Sequence, residues 1–485
     1  MIRAKLILNA LGKIIFIIGI AMLTCLFWVG NDEEAVVKGI LLAAALTIIS
    51  GLLLTLGFGN KDSINFKESF AVVTLGWLVA SIFGALPFLT TGVLDSFADA
   101  WFESMSGFTT TGASVFTDVE ACPRAVLFWR SLTQWLGGIG IIALFIALIS
   151  NIGVRANQLF KAEVPGPVSD KISPRIRETA RSLWKTYVVI SLICIITFYA
   201  LGMEFFDALC HGFATMATGG FSTKNASIGF YHNPWLQWAV TFFMIVAGTN
   251  FALHFLAFKK RSLAGYLKNT EFKFYLTIIF VAAFLIALDL NHGGGGSLAV
   301  WEEKFRIACF QVVSILTTTG YATVDYNLWP PLAGAVLLLM MFVGGCAGST
   351  SGSIKPGRYL IILRRSLIEL RKMVHPKAVM PLRFGGKVLN EDLIINVQQF
   401  FFLYILILVI GMIIISTLGL DFVSSLTASA TCLGNIGPGF GLVGPTQNFS
   451  FIPAVGKYVL ILEMLIGRLE IYPFLVLFVP AFWHE

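Results

Sequence analysis

Thr109-Thr110-Thr111-Gly112 is an uncharged polar run set between two long apolar segments, and it has three counterparts further along the chain. Ala217-Thr218-Gly219-Gly220, Thr317-Thr318-Thr319-Gly320-Tyr321 and Thr431-Cys432-Leu433-Gly434-Asn435 follow it. Glycines at 112, 219, 320 and 434 thus recur at spacings of 107, 101 and 114 residues. Each copy lies between one apolar segment and the next, so the chain reads as a fourfold repeat.

Composition identifies the solvent. Of the 485 residues 57% are hydrophobic and only 13% charged, and the mean hydropathy is +0.82, which excludes a soluble globular protein. About ten apolar segments of roughly 18 to 25 residues are each long enough to cross a bilayer core. The first two, Lys13 to Gly30 and Ala35 to Phe58, precede the repeats. Arg3, Lys5 and Lys13 give the first a basic leader, but no small-residue cleavage site follows Thr24, so both read as retained helices.

The repeats share one plan of span, re-entrant piece, span. Repeat one has Phe70 to Leu89, Ser96 to Ser114 and Ala125 to Ser150. The flanking spans of the others are Tyr187 to Leu201 with Leu236 to Ala257, Phe274 to Leu288 with Leu332 to Val343, and Phe400 to Leu418 with Val459 to Val479. The domains expected are 1–66 (two N-terminal helices), then 67–152, 153–258, 259–372 and 373–485 (four repeats). Non-helical backbone at membrane depth must be buried in protein or line a watery cavity, so four re-entrant pieces imply a shared axis. The fold class is an all-α polytopic membrane protein with pseudo-fourfold repeats around a central pore.

Basic residues orient it. With a cytoplasmic N-terminus that face collects 26 of the 34 lysines and arginines, including the segments Arg155 to Lys185, Lys259 to Lys273 and Lys355 to Lys387. The positive-inside rule then puts both termini inside and the four Thr-Gly loops outside. The net charge of +7 is a topology signal and a poor argument for nucleic acid, because the charges lie in short loops beside spans.

In repeat one, Phe97 to Phe108 predicts a short helix descending from the outer face with Asp99 and Glu103 one turn apart. Its C-terminal end presents partial negative charge at the axis, which favours a cation. Four such loops surround an ion with backbone carbonyls, and glycine permits the φ values an extended filter strand needs. A single Thr-Gly pair reads better as a helix-packing contact, but packing requires no fourfold register, so repetition favours a cation filter.

Several longer stretches resemble the Trk/Ktr/HKT potassium transporter superfamily. They are Gly107-Phe108-Thr109-Thr110-Thr111-Gly112, Trp129-Arg130-Ser131 with Gln134-Trp135-Leu136-Gly137-Gly138, Ala217 to Ser222, Ala247-Gly248-Thr249-Asn250-Phe251 and Gly467-Arg468-Leu469-Glu470. The resemblance covers essentially the whole chain. It implies a K+ pore of four unlike M1-P-M2 repeats in a bacterial inner membrane, a homodimer, and a cytosolic TrkA-like nucleotide-binding ring as regulator. On this reading the filter comprises Thr110, Thr111 and Gly112, then Thr218, Gly219 and Gly220, then Thr318, Thr319 and Gly320, and finally Leu433, Gly434 and Asn435. No covalent cofactor is expected, and Rb+ should be accepted with K+. Only one filter glycine is common to all four repeats, and Ala217 and Cys432 stand where repeats one and three carry Thr110 and Thr318. Fewer carbonyl rings predict only moderate preference for K+ over Na+.

Repeat three alone carries ten small residues in its second span, Gly344-Gly345-Cys346-Ala347-Gly348-Ser349-Thr350-Ser351-Gly352-Ser353. From the residues alone, a flexible intramembrane loop and a tight helix-packing face are equally open; the resemblance implies a gate under the filter. Arg468, in an apolar stretch from Ile461 to Phe478, must be paired or face water. Glu463 and Glu470 are possible partners, although neither spacing suits one helix face. The resemblance implies instead that Arg468 faces the ion path and belongs with the gate.

Asp95, Asp99, Glu103, Asp118, Glu120, Glu204, Asp207 and Asp325 fall on the outer side, where they either concentrate cations or are plain solvated charges. The Gly439 to Gly444 match to a dinucleotide fingerprint lacks the strand and crossover it needs. The seven cysteines and six histidines show no disulfide or metal spacing. Arg364-Arg365, Glu369, Arg371-Lys372 and Lys377, directly after the gate segment, suit either anionic lipid or a docking partner, the latter favoured by the resemblance. Three functions remain: a gated channel-like K+ path, a proton- or Na+-coupled K+ symporter with Glu463 and Glu470 as titratable candidates, and a membrane enzyme or scaffold. For the last there is no nucleophile, metal set or acid/base pair.

Overall fold

The computed structural model describes residues 3–30, 34–59, 65–138, 140, 176–291 and 297–484. Among these the regular structure is helical apart from a two-residue antiparallel hairpin, Arg383–Phe384 with Lys387–Val388, and a bridged pair, Val343 with Ile354. Among the described residues six helices are long and apolar enough to span a bilayer: Ala4–Trp28, Glu34–Gly57, Lys67–Thr90, Arg181–Ala200, Thr270–Leu290 and Glu391–Thr417. The chain is a multi-pass all-α membrane protein. Its outer faces are apolar, as lipid permits: Leu56, Phe402 and Ile413 are 77%, 68% and 53% exposed. Threonines such as Thr47, Thr133 and Thr431 are fully buried, their hydroxyls donating to the carbonyls of Ala43, Arg130 and Thr427.

The two N-terminal helices, Ala4–Leu23 and Glu34–Gly57, pack as a close antiparallel pair. Glycines make the approach possible: a Cβ on Gly51 would lie 2.5 Å from the Phe16 amide nitrogen, and one on Gly12 would lie 2.7 Å from Thr55 Oγ1. Arg3 anchors this hairpin to the first unit through an ion pair of 2.8 Å to Glu68. Glu68 also closes a capping box with Asn65 at the start of helix Phe66–Gly84.

Four span, half-span, span units follow. Their half-span helices are Phe97–Phe108, Phe205–Met216, Leu298–Leu316 and Phe422–Gly434. Their first spans begin at Phe66, Ile176, Thr270 and Glu391. In units two to four the helices of the second span break or stop short of the expected length. Helix Arg124–Gly138 serves unit one, and the rest of the expected span, the boundary at 152/153 and the basic segment from Arg155 to residue 175 lie outside the described residues. In unit two, Pro234–Ala247 bends by 97° into Phe251–Lys260. In unit three, Pro331–Met340 stops, and the helix resumes only at Pro356–Val374. In unit four, Ala454–Arg468 ends where Glu470 and Ile471 take φ of 52° and 71°. The expected boundaries at 66/67, 258/259 and 372/373 fall just inside the helices Phe66–Gly84, Phe251–Lys260 and Pro356–Val374.

The N-terminal pair generates a prediction. Gly51→Val drives a side chain into the backbone of Phe16, and overpacking of this kind costs about 1–3 kcal/mol. Thermal unfolding in detergent should show a lowered midpoint; an unchanged midpoint would contradict the contact.

Candidate functional site

The four half-span helices end in the same way. In each, the amide of the turning residue reaches back three residues and that of the next residue five, a Schellman cap with the turning residue left-handed. Thr110, Thr218, Thr318 and Asn435 take φ of 55°, 53°, 57° and 53°. The following amides, of Thr111, Gly219, Thr319 and Ile436, each donate to a helix carbonyl at 2.8 Å, those of Ser106, Ala214, Ser314 and Thr431. The chain then reverses and climbs outward through a second residue of positive φ, which is glycine each time: Gly112 (82°), Gly220 (75°), Gly320 (81°) and Gly437 (103°).

These glycines close a ring. A Cβ on Gly112 would overlap the carbonyl oxygen of Gly219, one on Gly220 that of Thr319, and one on Gly320 that of Ile436. One on Gly437 would lie 2.8 Å from the carbonyl oxygen of Thr111, which returns to the first unit. Units one to four are therefore neighbours in cyclic order, each glycine against the carbonyl of the next unit. This register departs from the sequence alignment in two units. Gly220, not Gly219, is equivalent to Gly112 and Gly320, and in unit four the equivalent is Gly437, with Asn435 in the turning position. Gly434 is the last residue of the helix and Leu433 lies within it. The counterparts of Thr110 are accordingly Thr218, Thr318 and Asn435, while Ala217 corresponds to Thr109.

Side chains from adjacent units brace the loops. Gln134 Nε2 donates to the Gly219 carbonyl at 2.5 Å while its Oε1 accepts from the Phe221 amide at 3.1 Å. Tyr321 OH donates to the His211 carbonyl at 3.1 Å, and Asn435 Nδ2 donates to Thr111 Oγ1 at 3.1 Å and to the Met464 carbonyl at 2.9 Å. Glu103 and Arg130 form a fully buried ion pair of 2.8 Å.

The small-residue segment of unit three is a loop against the inner side of the ring. The Gly352 amide donates to Thr318 Oγ1 at 2.7 Å, and Thr350 Oγ1 to the carbonyls of Met216 (3.1 Å) and Ala247 (3.2 Å). A Cβ on Gly352 would overlap the carbonyl oxygen of Gly434, and one on Gly345 would lie 2.5 Å from Ser351 Oγ. The broken helix of unit two supplies further partners: Cys346 donates to the Gly248 carbonyl at 2.8 Å, and the Phe251 amide to the Gly348 carbonyl at 3.0 Å. Gly344 pairs with Ile354 at 2.9 Å and Ser349 Oγ donates to the Cys346 carbonyl at 2.6 Å, so the loop is internally tied. Arg468 joins the remaining units. Its guanidinium donates to the Thr350 carbonyl at 2.7 Å and to the Gly137 and Gly138 carbonyls at 2.5 and 2.8 Å.

Neither glutamate considered for Arg468 serves that role. Glu470 pairs with Arg358, and Glu463 accepts from Ser429 Oγ at 2.6 Å. Glu463, five residues earlier, lies on another face of helix Ala454–Arg468, and Glu470 lies beyond its end. Four of the eight carboxylates expected on the outer side are ion-paired: Asp99 with Lys457, Glu103 with Arg130, Asp207 with Lys224 at 3.3 Å, and Glu204 with Arg124 at 2.9 Å. Asp118 keeps its charge, because Asn225 Nδ2, donating at 2.8 Å, holds its carboxyl below the usual carboxylate range. A cavity of about 160 Å³ outside the ring is lined by Gly112, Gly220, Gly320 and Gly437 together with Arg130 and Lys224.

The family profile described as "TrkH: Cation transport protein" matches residues 37–485. The chain belongs to this family. It is 40% identical over 428 residues to the "Trk system potassium uptake protein TrkH" of Escherichia coli K12, covering 88% of each chain. It is 34% identical to the protein of the same name from Halomonas elongata, covering 99% of each. The fold is similar to the "Crystal Structure of the Potassium Transporter TrkH from Vibrio parahaemolyticus" with a TM-score of 0.89, 33% identity, and coverage of 99% of this chain and 100% of that one.

Sequence reasoning missed the Glu103–Arg130 pair, the Arg358–Glu470 pair, and Glu271, whose carboxylate accepts from the amides of Ala347 within the loop and Gly357 in the first turn of the next helix, at 3.1 Å each. The available signal was a charged residue inside an otherwise apolar stretch.

The register has a direct test. Gly437→Ala forces a side chain into a left-handed conformation, at about 1–2 kcal/mol, and against a carbonyl. Gly434→Ala meets mainly the mobile end of Ile436, 2.9 Å away. Cation flux into proteoliposomes should fall steeply for Gly437→Ala and stay near the parent value for Gly434→Ala; the reverse order would restore the alignment at Gly434.

Proposed function

We propose that this chain is the pore-forming subunit of a potassium-uptake system, passing K+ down its electrochemical gradient through the ring of four loops. The observation that carries the reading is the closed cyclic contact of Gly112, Gly220, Gly320 and Gly437 with the carbonyls of the next unit. Backbone oxygens from four helix C-termini converge there, and partial negative charge at each terminus favours a cation. The relatives' names supply potassium as the ion. The filter is Thr110 to Gly112, Thr218 to Gly220, Thr318 to Gly320 and Asn435 to Gly437, with a single common glycine, so K+ and Rb+ are preferred over Na+ only moderately.

The loop Gly344 to Ser353 together with Arg468 is the gate. A guanidinium held by three carbonyls fixes the loop against the ring and sets a positive charge in front of a cation path. Opening requires Thr350 and Gly352 to leave their partners. The helix Pro356–Val374 follows the loop directly, and its half-buried Arg364 and exposed Arg371 suit a cytosolic TrkA-like nucleotide-binding ring, which would pull on the gate. The protein works as a homodimer in a bacterial inner membrane with both termini cytoplasmic.

A channel-like mechanism is favoured over the coupled symporter. Coupling requires a titratable group in the ion path, and Glu470 is paired with Arg358 while Glu463 is buried against Gly411 and Ser429, behind the half-span helix.

Current through purified protein in a planar bilayer, with K+ on one side, Na+ on the other and equal pH, tests the reading. Unitary currents with a reversal potential displaced toward that of K+ are expected. K+ uptake that follows a proton or Na+ gradient with no unitary current would sink it. In the same bilayer Arg468→Ala should raise open probability several-fold with an unchanged elution volume on a sizing column; closed channels or loss of the folded protein would assign Arg468 a structural role instead.

A further inference from the structure

The most deeply buried ion pair among the described residues is Glu103–Arg130, 0% and 2% exposed at their side chains. Burying such a pair rarely adds net stability, because desolvation offsets attraction and apolar residues of similar volume do as well. What the pair supplies is geometry, and its contacts show where. Glu103 Oε2 accepts from the Val115 amide at 2.9 Å, and both carboxylate oxygens accept from Ser114 Oγ at 3.1 Å. Arg130 donates through Nε to Glu103, and through its two terminal nitrogens to Ser114 Oγ at 3.2 Å and to the Ser222 carbonyl at 3.1 Å. Its guanidinium carbon sits 4.1 Å from the centre of the Phe221 ring, so the plane is fixed from the face as well.

Ser114 and Ser222 each lie two residues beyond a ring glycine, Gly112 in unit one and Gly220 in unit two. One rigid, planar, net-neutral group therefore grips two adjacent outward strands. The position seven residues before the turning residue carries a different chemistry in each unit. Glu103 in unit one is matched by His211, whose Nε2 is 2.9 Å from Ser222 Oγ. In unit three it is Gln311, whose Nε2 donates to the Tyr321 carbonyl at 3.1 Å, and in unit four it is Ala428, which has no polar group. The ring is braced unequally, and the charged brace sits at the junction of units one and two.

We infer that the Glu103–Arg130 pair is a specificity-determining positioning element, which sets the K+ over Na+ preference by fixing the separation of strands 112–115 and 220–222. This rests on the proposed K+ path. Ions differing in radius by a fraction of an ångström are distinguished only if the carbonyls cannot close around the smaller one. Loosening two of four strands relaxes that limit while leaving the path open.

The experiment compares the K+ over Na+ permeability ratio, from reversal potentials, with unitary conductance in the unsubstituted protein, in Glu103→Gln and in Ser114→Ala. For Glu103→Gln the ratio is expected to fall about five-fold, the scale of one net hydrogen bond lost from the K+-holding geometry, with current still carried. A conducting Glu103→Gln with the parent reversal potential overturns the proposal. Glu103→Gln leaves a buried guanidinium uncompensated, so Ser114→Ala, which removes the bridging hydroxyl without stranding a charge, decides if the first variant fails to fold. Its ratio should fall about two-fold, as for a weaker neutral contact, and an unmoved ratio overturns the proposal equally. A purely structural role lowers the yield of folded protein without moving the ratio. Absence of K+ current in the unsubstituted protein would overturn the reading of the path itself, and is distinguishable because it needs no substitution.

Discussion

A peptide group at membrane depth has no water to bond to, and every irregular stretch of this chain is arranged around that constraint. The half-span helices would leave several carbonyls bare at their inner ends. Schellman caps take up part of that deficit with the amides of the turning and following residues, and in doing so reverse the chain. In the proposed function the remaining carbonyls converge on the axis, where a cation satisfies them. On that reading structure and transport share one cause: the oxygens that the fold cannot satisfy internally are those offered to the ion.

The same constraint explains the broken second spans. Unit two stops at Ala247 and unit three at Met340, and the two breaks supply one another: Gly248 accepts from Cys346, Ala247 from Thr350, and Gly348 from Phe251. Arg468 answers the carbonyls of Gly137, Gly138 and Thr350 at the C-terminal end of its own helix. As the proposed gate, a loop held this way is metastable by construction: each bond that keeps it in place is one whose loss exposes a polar group, which is tolerable only if water or ions enter when it opens.

Much of this was legible in the residues. Four polar Thr-Gly stretches between apolar spans stand out because polar, uncharged runs are costly in lipid, and the helix Phe97–Phe108 follows directly from the distance between Ser96 and the turning threonines. The register within the loops was less so. Unit two offers two adjacent glycines and unit four offers Gly434 and Gly437, and composition alone favours the first of each. What selects the second is the left-handed turn at Thr218 and Asn435, a conformation that threonine adopts only when the surrounding structure imposes it. The buried pairs were hidden for a related reason: Glu103 and Arg130, 27 residues apart, meet only when two helices of unit one pack together, and Arg358 and Glu470, 112 apart, only when units three and four do.

The central claim is that the ring formed by Gly112, Gly220, Gly320 and Gly437 holds the ion. Anomalous scattering from crystals grown in Rb+ tests it most directly. The account predicts a peak on the axis of the ring, at coordinating distance from the carbonyls of Thr111, Gly219, Thr319 and Ile436. An empty ring, with the peak instead beside a carboxylate such as Glu463, would contradict it.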